Sequence, residues 1–368
     1  MRCVVMPPVP VPYREPLFAR LAERGRIGLH VVYQSGSQPG WDQRPEWFPS
    51  LHPYESRLLG SRQRERPGRS PMLVPRGLGG ALGALDPDCV VSWEYGAATL
   101  RALAWCRRRG RPLVIFSELT PAAELSLSSR RRSFHRLLAR HAAGFVAASS
   151  AARERLLRMR IPSEHVEVSL QSADVDAFRA AAERRPAHPG PPRILCVGRL
   201  VPDKNQALLI RGFAAALRGL GGELLLCGTG PLEGSLRDEA ARLGAPVRFL
   251  GYVPPGELPA LYAQADALAL VSVYEPFGVA AREAAAAGLP IVCSTSAGAA
   301  GDVAVEGENA LLVEPRDEAG VTEALHLLLA DADLRARLAA GSRAVTGRAP
   351  PEQDAEAFER AVLRAAES

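Results

Sequence analysis

Short apolar runs alternate with amphipathic helical stretches along most of the chain, and this alternation constrains the fold more than any other feature. In the first half the apolar runs cover residues 3–6, 29–33, 89–92, 113–116, 144–147 and 166–169. Helical stretches lie between them, for example at residues 14–24, 97–109 and 130–141. Strands that alternate with helices are typical of a parallel sheet covered on both faces. The sequence therefore predicts an α/β protein built from doubly wound sheets.

A proline-rich segment, RRPAHPGPPR at residues 184–193, interrupts the alternation, which then restarts. Proline and glycine beside charged residues are typical of a linker, and a chain of 368 residues is long enough for two domains. We expect two Rossmann-like domains, residues 1–183 and 194–349, facing each other across a cleft. The segment 350–368 begins with a proline pair and continues as a last helix at 352–366, which is expected to pack back on the N-terminal domain.

Composition narrows the class of protein. The six cysteines lie far apart inside apolar runs, without the spacing of a zinc site, so we expect buried reduced thiols in a cytoplasmic protein. No apolar run reaches 18 residues, and prolines break the N-terminal apolar stretch, so neither a membrane span nor a signal peptide is expected. The net charge of +5 is compatible with an anionic ligand.

The sequence contains a single lysine, and its other strongly basic side chains are all arginines. Lys204 lies in GRLVPDKNQ, directly after the predicted strand at 194–197. Gly198 lets a ligand approach the backbone, and Arg199 offers a planar fork of donors that suits phosphate oxygens. These residues predict an anion site, and a solvated loop with the charges paired to Asp203 is the alternative.

A second glycine-containing turn, CGTGPLEG, follows the next predicted strand and contains Gly228 and Gly230. The spacing imitates a dinucleotide-binding fingerprint. The following strand ends in FLGYV, without the acidic residue that would hold a ribose. The sequence therefore disfavours a nicotinamide dinucleotide site.

The stretch YEPFGVAAREAAAAG at 274–288 places two glutamates around a predicted helix start. The helix begins near Gly278, so its unpaired N–H groups and positive dipole end suit a phosphate. Glu275 would lie beside that anion and accept hydrogen bonds from hydroxyls, and Glu283 would reach a diol such as a ribose. A retaining glycosidase needs carboxyls about 5–5.5 Å apart, whereas five helical residues alone rise about 7.5 Å, so the pair suits two parts of one elongated ligand better. A plain helix-surface charge is the alternative for Glu283.

Five motifs in order, VGRLVPDKN, LLLCGTGPLEGSL, VRFLGYV, YEPFGVAAREAAAAGLPIV and GENALLVEP, resemble the nucleotide-sugar domain of retaining GT-B glycosyltransferases of family 4. The resemblance covers residues 193–345 strongly. It implies that Arg199 and Lys204 bind the diphosphate and that Glu275 binds the donor sugar. It also implies that Glu283 holds the ribose. The other donor-binding residues implied by the resemblance or by their loops are Gly198, Gly228, Gly230, Tyr252, Val253, Phe277, Gly278 and Val279.

The N-terminal domain resembles the family less closely. Its first loop, PPVPVPYREP, lacks the glycine pair of many members, and Ser117 and Glu118 stand where many members carry a histidine. Four residues that follow predicted strands are the candidates for acceptor binding, with surface or structural roles as the alternative: Tyr13, Arg14, Glu94 and Glu118.

The resemblance implies a hexosyltransferase-type enzyme that moves a sugar from a nucleoside diphosphate sugar, with a UDP-sugar favoured, and retains the anomeric configuration. Arg199, Lys204 and a helix start would replace a metal, so neither metal nor separate cofactor is expected. The acceptor stays open between a small molecule, as in natural-product tailoring, and a lipid-linked one, as in polysaccharide assembly.

Other functions stay open at this point. The same fold would serve a nucleotide-sugar epimerase, a phosphorylase or a non-catalytic binder, and less readily an NAD(P)-dependent oxidoreductase. Arginine clusters at 106–111 and 130–136 leave a peripheral membrane contact open, with solvated helix faces as the alternative. Nucleic-acid binding is disfavoured because the basic residues are spread out.

Overall fold

The structure of the chain, a computed structural model, describes residues 1–37, 53–66, 69–185 and 188–367. The chain forms two compact units. The first contains Met1–Ser172 and the chain from Pro351 onward, and the second contains Ala173–Pro350. Residues 186 and 187 of the predicted linker, and residue 368 of the predicted C-terminal segment, lie outside the described residues.

The described part of the first unit contains nine strands: β1 (Arg2–Met6), β2 (Gly28–Tyr33), β3 (Glu55–Leu58), β4 (Ser61–Arg66), β5 (Arg69–Pro75), β6 (Cys89–Trp93), β7 (Leu113–Ser117), β8 (Gly144–Ala147) and β9 (Val166–Val168). Seven of them form a parallel sheet in the order β3-β2-β1-β6-β7-β8-β9. Strands β4 and β5 pair with each other as an antiparallel hairpin. The central strands are continuous apolar runs because both faces of the sheet are covered.

Helices cover both faces of this sheet: α1 (Glu15–Arg24), α2 (Leu78–Leu85), α3 (Ala97–Arg109), α4 (Pro121–Leu125), α5 (Ser129–Ala139), α6 (Ser150–Arg158) and the C-terminal helix Pro351–Glu367. On one face Phe18 of α1 and Phe358 of the C-terminal helix lie in the same apolar core. On the other face Leu82 of α2 and Leu156 of α6 belong to a second core. The C-terminal helix therefore packs on the first unit.

The second unit contains a six-stranded parallel sheet: β10 (Arg193–Val197), β11 (Glu223–Cys227), β12 (Val247–Gly251), β13 (Ala267–Leu270), β14 (Ile291–Ser294) and β15 (Ala310–Val313). Its order is β12-β11-β10-β13-β14-β15. Seven helices belong to its described part: α7 (Val175–Glu183), α8 (Gln206–Leu217), α9 (Glu233–Leu243), α10 (Leu258–Tyr262), α11 (Val279–Ala286), α12 (Glu318–Ala330) and α13 (Ala332–Arg348). The C-terminal helix is accordingly α14.

Helix α7 marks where the domain boundary differs from the sequence-based one. The proline-rich segment placed residues 174–183 in the first domain, whereas α7 belongs to the second unit. Its Phe178 is buried and packs edge-on against the ring of Tyr262 on α10. The boundary falls at 172/173 because packing, and not the prolines, decides which unit the helix joins.

The predicted fold class is confirmed: each unit is a parallel α/β sheet covered by helices. Each strand predicted in the first half coincides with an observed strand, while β3, β4 and β5 were not predicted. In the part of the chain that the structure describes, no helix is long and apolar enough to cross a membrane.

Candidate functional site

The residues singled out in the second half of the sequence meet at the centre of the second sheet. Strands β10 and β13 are neighbours there, and the strand order proceeds in opposite directions on their two sides. In open parallel sheets, ligands bind beyond the carboxyl ends of the strands at such a reversal. The loop after β10 carries Arg199 and Lys204, and the loop after β13 carries Glu275. Topology thus places the candidate site where this fold binds ligands.

Hydrogen bonds clamp these two loops together. The Asn205 side chain donates to the carbonyl of Val271 at 3.2 Å, from a left-handed backbone with φ of 60°. The carbonyl of Asp203 accepts the N–H of Val273 at 2.9 Å. These two hydrogen bonds fix the position of Lys204 relative to the loop after β13.

Lys204 and Glu275 form an ion pair between Nζ and Oε2. The Ser272 hydroxyl donates to the same carboxylate oxygen at 3.2 Å. Only 8% of Glu275 is exposed, so lysine and serine replace the water that the carboxylate lacks. An anionic ligand that binds beside Lys204 would compete with Glu275 for the ammonium group.

Gly278 precedes the first residue of α11 in a conformation that favours glycine. Its φ is 101°, and a Cβ added there would lie 2.7 Å from a methyl carbon of Leu270. No side chain caps this helix start. Because the N-cap residue is a glycine, it offers no side-chain acceptor to the first-turn N–H groups of α11, such as that of Val279, which suits a helix end that binds an anion.

The loop after β14 holds this helix start, which the sequence analysis did not anticipate. Gly298 donates its N–H to the carbonyl of Glu275 at 3.1 Å, and Ala299 donates to that of Phe277 at 2.8 Å. A Cβ on Gly298 would lie 2.0 Å from the carbonyl oxygen of Pro276, so only glycine fits. The signal in the sequence is the run STSAG at the carboxyl end of a predicted strand.

Two serines of the same region were also missed. Ser294 and Ser296 donate to the carbonyl of Ser272, at 2.8 and 3.1 Å. Ser272 in turn contacts Glu275. This hydrogen-bond network fixes the backbone that carries Glu275.

Glu283 occupies a different environment. It is 9% exposed, and its Oε2 accepts a hydrogen bond from the Tyr262 hydroxyl at 2.5 Å. Burial raises the pKa of Glu283 to about 7, and the tyrosine hydrogen bond opposes this shift. Glu283 is therefore a buried carboxylate and not a helix-surface charge.

Gly228 and Gly230 let two loops of the second unit pack closely. A Cβ on Gly228 would lie 2.1 Å from the carbonyl oxygen of Gly198, and one on Gly230 would lie 2.3 Å from that of Leu200. These glycines thus position the loop that carries Arg199, and the geometry gives them a structural role whether or not they also contact a ligand.

The remaining donor candidates differ in exposure. Phe277 is buried, so its side chain packs within the protein. Tyr252 and Val253 are half-buried just after β12, and Val279 is half-buried at the start of α11. Arg199 is half-buried, and its carbonyl accepts a hydrogen bond from Gln206 at 2.8 Å.

In the first unit the four acceptor candidates also lie together. Arg14 pairs with Glu118 at 3.3 Å, and its guanidinium lies 5.3 Å from the ring centre of Tyr13. Trp93, which the sequence analysis did not single out, donates to the same Glu118 oxygen at 2.8 Å. These residues follow β1, β6 and β7, and β1 and β6 flank the reversal of strand order in this sheet.

Glu94 completes this cluster. Its carboxylate accepts the N–H of Glu118 and, at 3.4 Å, the hydroxyl of Ser117. Its φ is 55°, which non-glycine residues rarely adopt and which often marks functional sites. Burial, followed by the charge of Glu118, raises the pKa of Glu94 to about 7.

No group of three histidine, cysteine or acidic side chains in the described ranges is arranged to hold a metal ion. The chain contains three Asp-x-Asp tripeptides, at residues 86–88, 174–176 and 331–333, and the first aspartates of the last two serve as helix caps. Asp174 accepts the N–H of Ala177, and Asp331 accepts that of Leu334.

Comparisons with known proteins cover both units. Residues 178–345 match the family described as Glycosyl transferases group 1, and residues 8–169 match the Glycosyl transferase 4-like domain. A glycogen synthase of Mycobacterium tuberculosis is 37% identical over 183 residues, which are 47% of this chain and 43% of that protein. The chain thus matches less than half the length of that relative.

A second relative is matched over a longer stretch. The GDP-mannose-dependent alpha-(1-6)-phosphatidylinositol monomannoside mannosyltransferase of M. tuberculosis is 30% identical over 275 residues, 70% of this chain and 71% of that protein. Among solved structures, Anabaena HepE in complex with UDP and glucose has a TM-score of 0.78 at 19% identity, covering 98% of both chains. WaaG, a glycosyltransferase of lipopolysaccharide biosynthesis, has a TM-score of 0.67 at 16% identity, covering 98% of this chain and 99% of that one.

Proposed function

We propose, since the chain belongs to the family of group 1 glycosyl transferases, that it moves a sugar from a nucleoside diphosphate sugar to an acceptor with retained configuration. The observation that carries the proposal is the arrangement of Lys204, Glu275 and the uncapped start of α11 at the reversal of strand order. A cation, a hydrogen-bond acceptor and a helix N-terminus are what a sugar diphosphate needs.

The donor diphosphate would be held by Arg199, Lys204 and the N–H groups that follow Gly278. When the phosphate binds Lys204, Glu275 loses its ion-pair partner and becomes free to accept hydrogen bonds from sugar hydroxyls. Glu283 would accept from the ribose, and the backbone near Tyr252 would contact the base. The negative charge of the leaving diphosphate would be stabilised by groups already in place, without a metal.

Positioning would supply the rest of the rate enhancement. As the bond between the sugar and the diphosphate breaks, a phosphate oxygen would take the proton of the attacking acceptor hydroxyl on the same face. The new glycosidic bond would then form on the side that the diphosphate leaves, which retains the configuration. No covalent protein nucleophile is required.

The acceptor would bind the first unit at Tyr13, Arg14, Glu94 and Glu118. Glu118, held by Arg14 and Trp93, stands where many relatives carry a histidine and would offer a carboxylate oxygen to an acceptor or donor hydroxyl. All six cysteines are free and buried, which supports the expected cytoplasmic location.

A lipid-linked acceptor is the second possibility for the substrate, and a surface feature favours it. Arg130 and Arg136 of α5, and Arg140 directly after it, are exposed and form no ion pair within the described ranges. Leu137, 52% exposed, lies on the same helix, and Leu125 before it is 84% exposed. Exposed arginines with protruding leucines suit an anionic bilayer surface. Pelleting with anionic liposomes that is lost at high salt would support a lipid acceptor, and no pelleting would favour a soluble one.

The first experiment is calorimetric titration of the protein with UDP, GDP, ADP and NADPH in the presence of a chelator, repeated on Glu283→Ala. We favour UDP, and the GDP-mannose-dependent relative makes GDP the necessary comparison. Saturable binding of one nucleoside diphosphate, weakened in the variant, supports the proposal. Binding of NADPH alone, or binding only after metal is added, overturns it.

Activity separates a transferase from the other proteins that this fold would serve. An epimerase converts a nucleotide sugar into its isomer without acceptor, and a non-catalytic binder leaves it intact. A transferase releases nucleoside diphosphate, slowly to water and faster with a suitable acceptor. Chromatography of UDP-glucose and GDP-mannose after incubation distinguishes these three outcomes.

A further inference from the structure

We propose that Tyr262 is a positioning residue of the donor site, whose hydroxyl holds one oxygen of Glu283 and leaves the other to accept from a ribose hydroxyl. The role rests on the function proposed above, since it requires a nucleotide to bind at Glu283. Tyr262 would act on the ligand indirectly, through the side chain of Glu283.

The contact between the two residues is short and buried. The Tyr262 hydroxyl donates to Oε2 of Glu283 at 2.5 Å, and the tyrosine has no exposed surface. Within the described residues no other hydrogen bond to the Glu283 side chain is found. The residue as a whole keeps 9% of its surface exposed, and the ligand hydroxyl would bind at the carboxylate oxygen that the tyrosine does not hold.

A second aromatic ring fixes the direction of this hydroxyl. Phe178 of α7 lies edge-on to Tyr262, with ring centres 4.9 Å apart and planes at 81°. Both rings are buried. A buried tyrosine that packs against a second ring and whose hydroxyl is bonded is restrained, so the carboxylate is oriented before any ligand arrives.

A tyrosine suits this task better than a basic residue because it is a neutral donor. A lysine or arginine at the same place would neutralise Glu283 and occupy it, as Lys204 occupies Glu275. Tyr262 instead orients the carboxylate and leaves its charge available. Hydroxyl donors to a charged acceptor form strong hydrogen bonds, so a ribose diol would benefit from that charge.

In the part of the chain that the structure describes, the other titratable groups around the pair bring no compensating charge. The thiols of Cys196 and Cys227 lie near Tyr262, and burial raises their pKa values to about 12 and about 11, so both are neutral near pH 7. Arg282, on the same helix, directs its guanidinium to the carbonyl of Ala349 at 3.5 Å. Arg343 of α13 lies beside Gly288, beyond the end of α11, and Arg179 of α7 is exposed and pairs with Asp176.

The test is Tyr262→Phe, with UDP and GDP titrated into the full chain from about pH 6 to about pH 9. The variant keeps the ring and loses the hydroxyl. We expect about tenfold weaker binding near pH 7, since a hydrogen bond to a charged group is lost. Affinity should fall as the pH is lowered and Glu283 becomes protonated. In the variant this fall should occur at a higher pH, because the lost hydrogen bond favoured the ionised carboxylate. The variant should regain part of its affinity at alkaline pH, because Glu283 is then ionised again.

Controls separate the possible failures. Thr322→Val removes another buried hydroxyl of the second unit, on α12, and should leave affinity and its pH dependence unchanged. If the unmodified protein binds neither nucleotide, the proposed function fails. If it binds one and Tyr262→Phe binds it equally, with the same pH dependence, the positioning role is refuted. An equal loss of affinity at every pH would also refute it, since that indicates a structural role.

Discussion

Replacing Lys204 by methionine removes one charge of the candidate site and leaves Glu275 without its ion-pair partner. The two side chains are 20% and 9% exposed. Exposed pairs contribute about 0–1 kcal/mol, whereas removal of one partner of a fully buried pair costs about 3–5 kcal/mol. We expect a loss of about 2 kcal/mol in the free energy of unfolding, which lowers Tm by about 4–8 °C in a unit of this size.

The effect on turnover should be much larger than this modest loss of stability. Removing one donor that stabilises a transition-state anion lowers kcat by about 10²–10³-fold. The assay is release of UDP from UDP-glucose, or of GDP from GDP-mannose, at a temperature well below the Tm of the variant. Activity and thermal unfolding are then measured on the same preparation.

Arg242→Met is the matched control for Lys204→Met. Arg242 pairs with Glu239 at 2.9 Å on α9, but its side chain is 63% exposed. The control should change stability by no more than about 0.5 kcal/mol and leave turnover unchanged. A Lys204→Met protein that unfolds earlier yet turns over within about threefold of normal would show that the pair is structural only.

Three further variants test other parts of the two units. Glu283→Gln should weaken UDP binding and make it independent of pH. Because the pKa of Glu283 is raised by burial, ionisation of this carboxyl opposes folding, and the variant avoids that cost. Its free energy of unfolding should therefore rise by up to about 3 kcal/mol at pH 8 and by little at pH 5, as thermal melts at both pH values would reveal. Gly228→Ala should lower the free energy of unfolding by about 3 kcal/mol or more, because the added carbon would clash with the Gly198 carbonyl. An unchanged Tm would contradict this. Glu118→Gln breaks the pair with Arg14 and should lower turnover while calorimetric UDP affinity stays constant.

The fold was largely predictable because the central strands are buried on both faces. Val90 and Val91 of β6, or Leu224 and Leu225 of β11, are buried one after the other, so uninterrupted apolar runs reveal the strands. Strands β3 and β4 were missed for the opposite reason. The sequences ESRL and SRQRER contain few apolar residues and no clear alternation, so pairing with neighbours, rather than composition, makes them strands.

The candidate site was predictable where a residue type carries the chemistry. Lys204, Glu275 and Gly278 were found because charge and glycine next to a strand end are visible in one segment. Gly298, Ser294 and Tyr262 were missed because their roles depend on a partner distant in the sequence. A serine that bonds a backbone carbonyl, or a tyrosine that bonds a carboxylate, has no local signature.

Glu275 and Glu283 lie in one short segment, yet their carboxylates have different electrostatic environments. Glu275 lies in the loop after β13, where hydrogen bonds between the two loops hold Lys204 beside it, so its charge is balanced by a cation. Glu283 lies inside α11 between buried side chains, where the neutral hydroxyl of Tyr262 reaches it and burial opposes its ionisation. Binding a ligand hydroxyl would relieve that unfavourable state at Glu283, whereas a phosphate must first break an ion pair at Glu275. The contact at Glu283 would therefore add affinity for the nucleoside part of the donor. The contact at Lys204 would couple diphosphate binding to the release of the Glu275 carboxylate for the sugar.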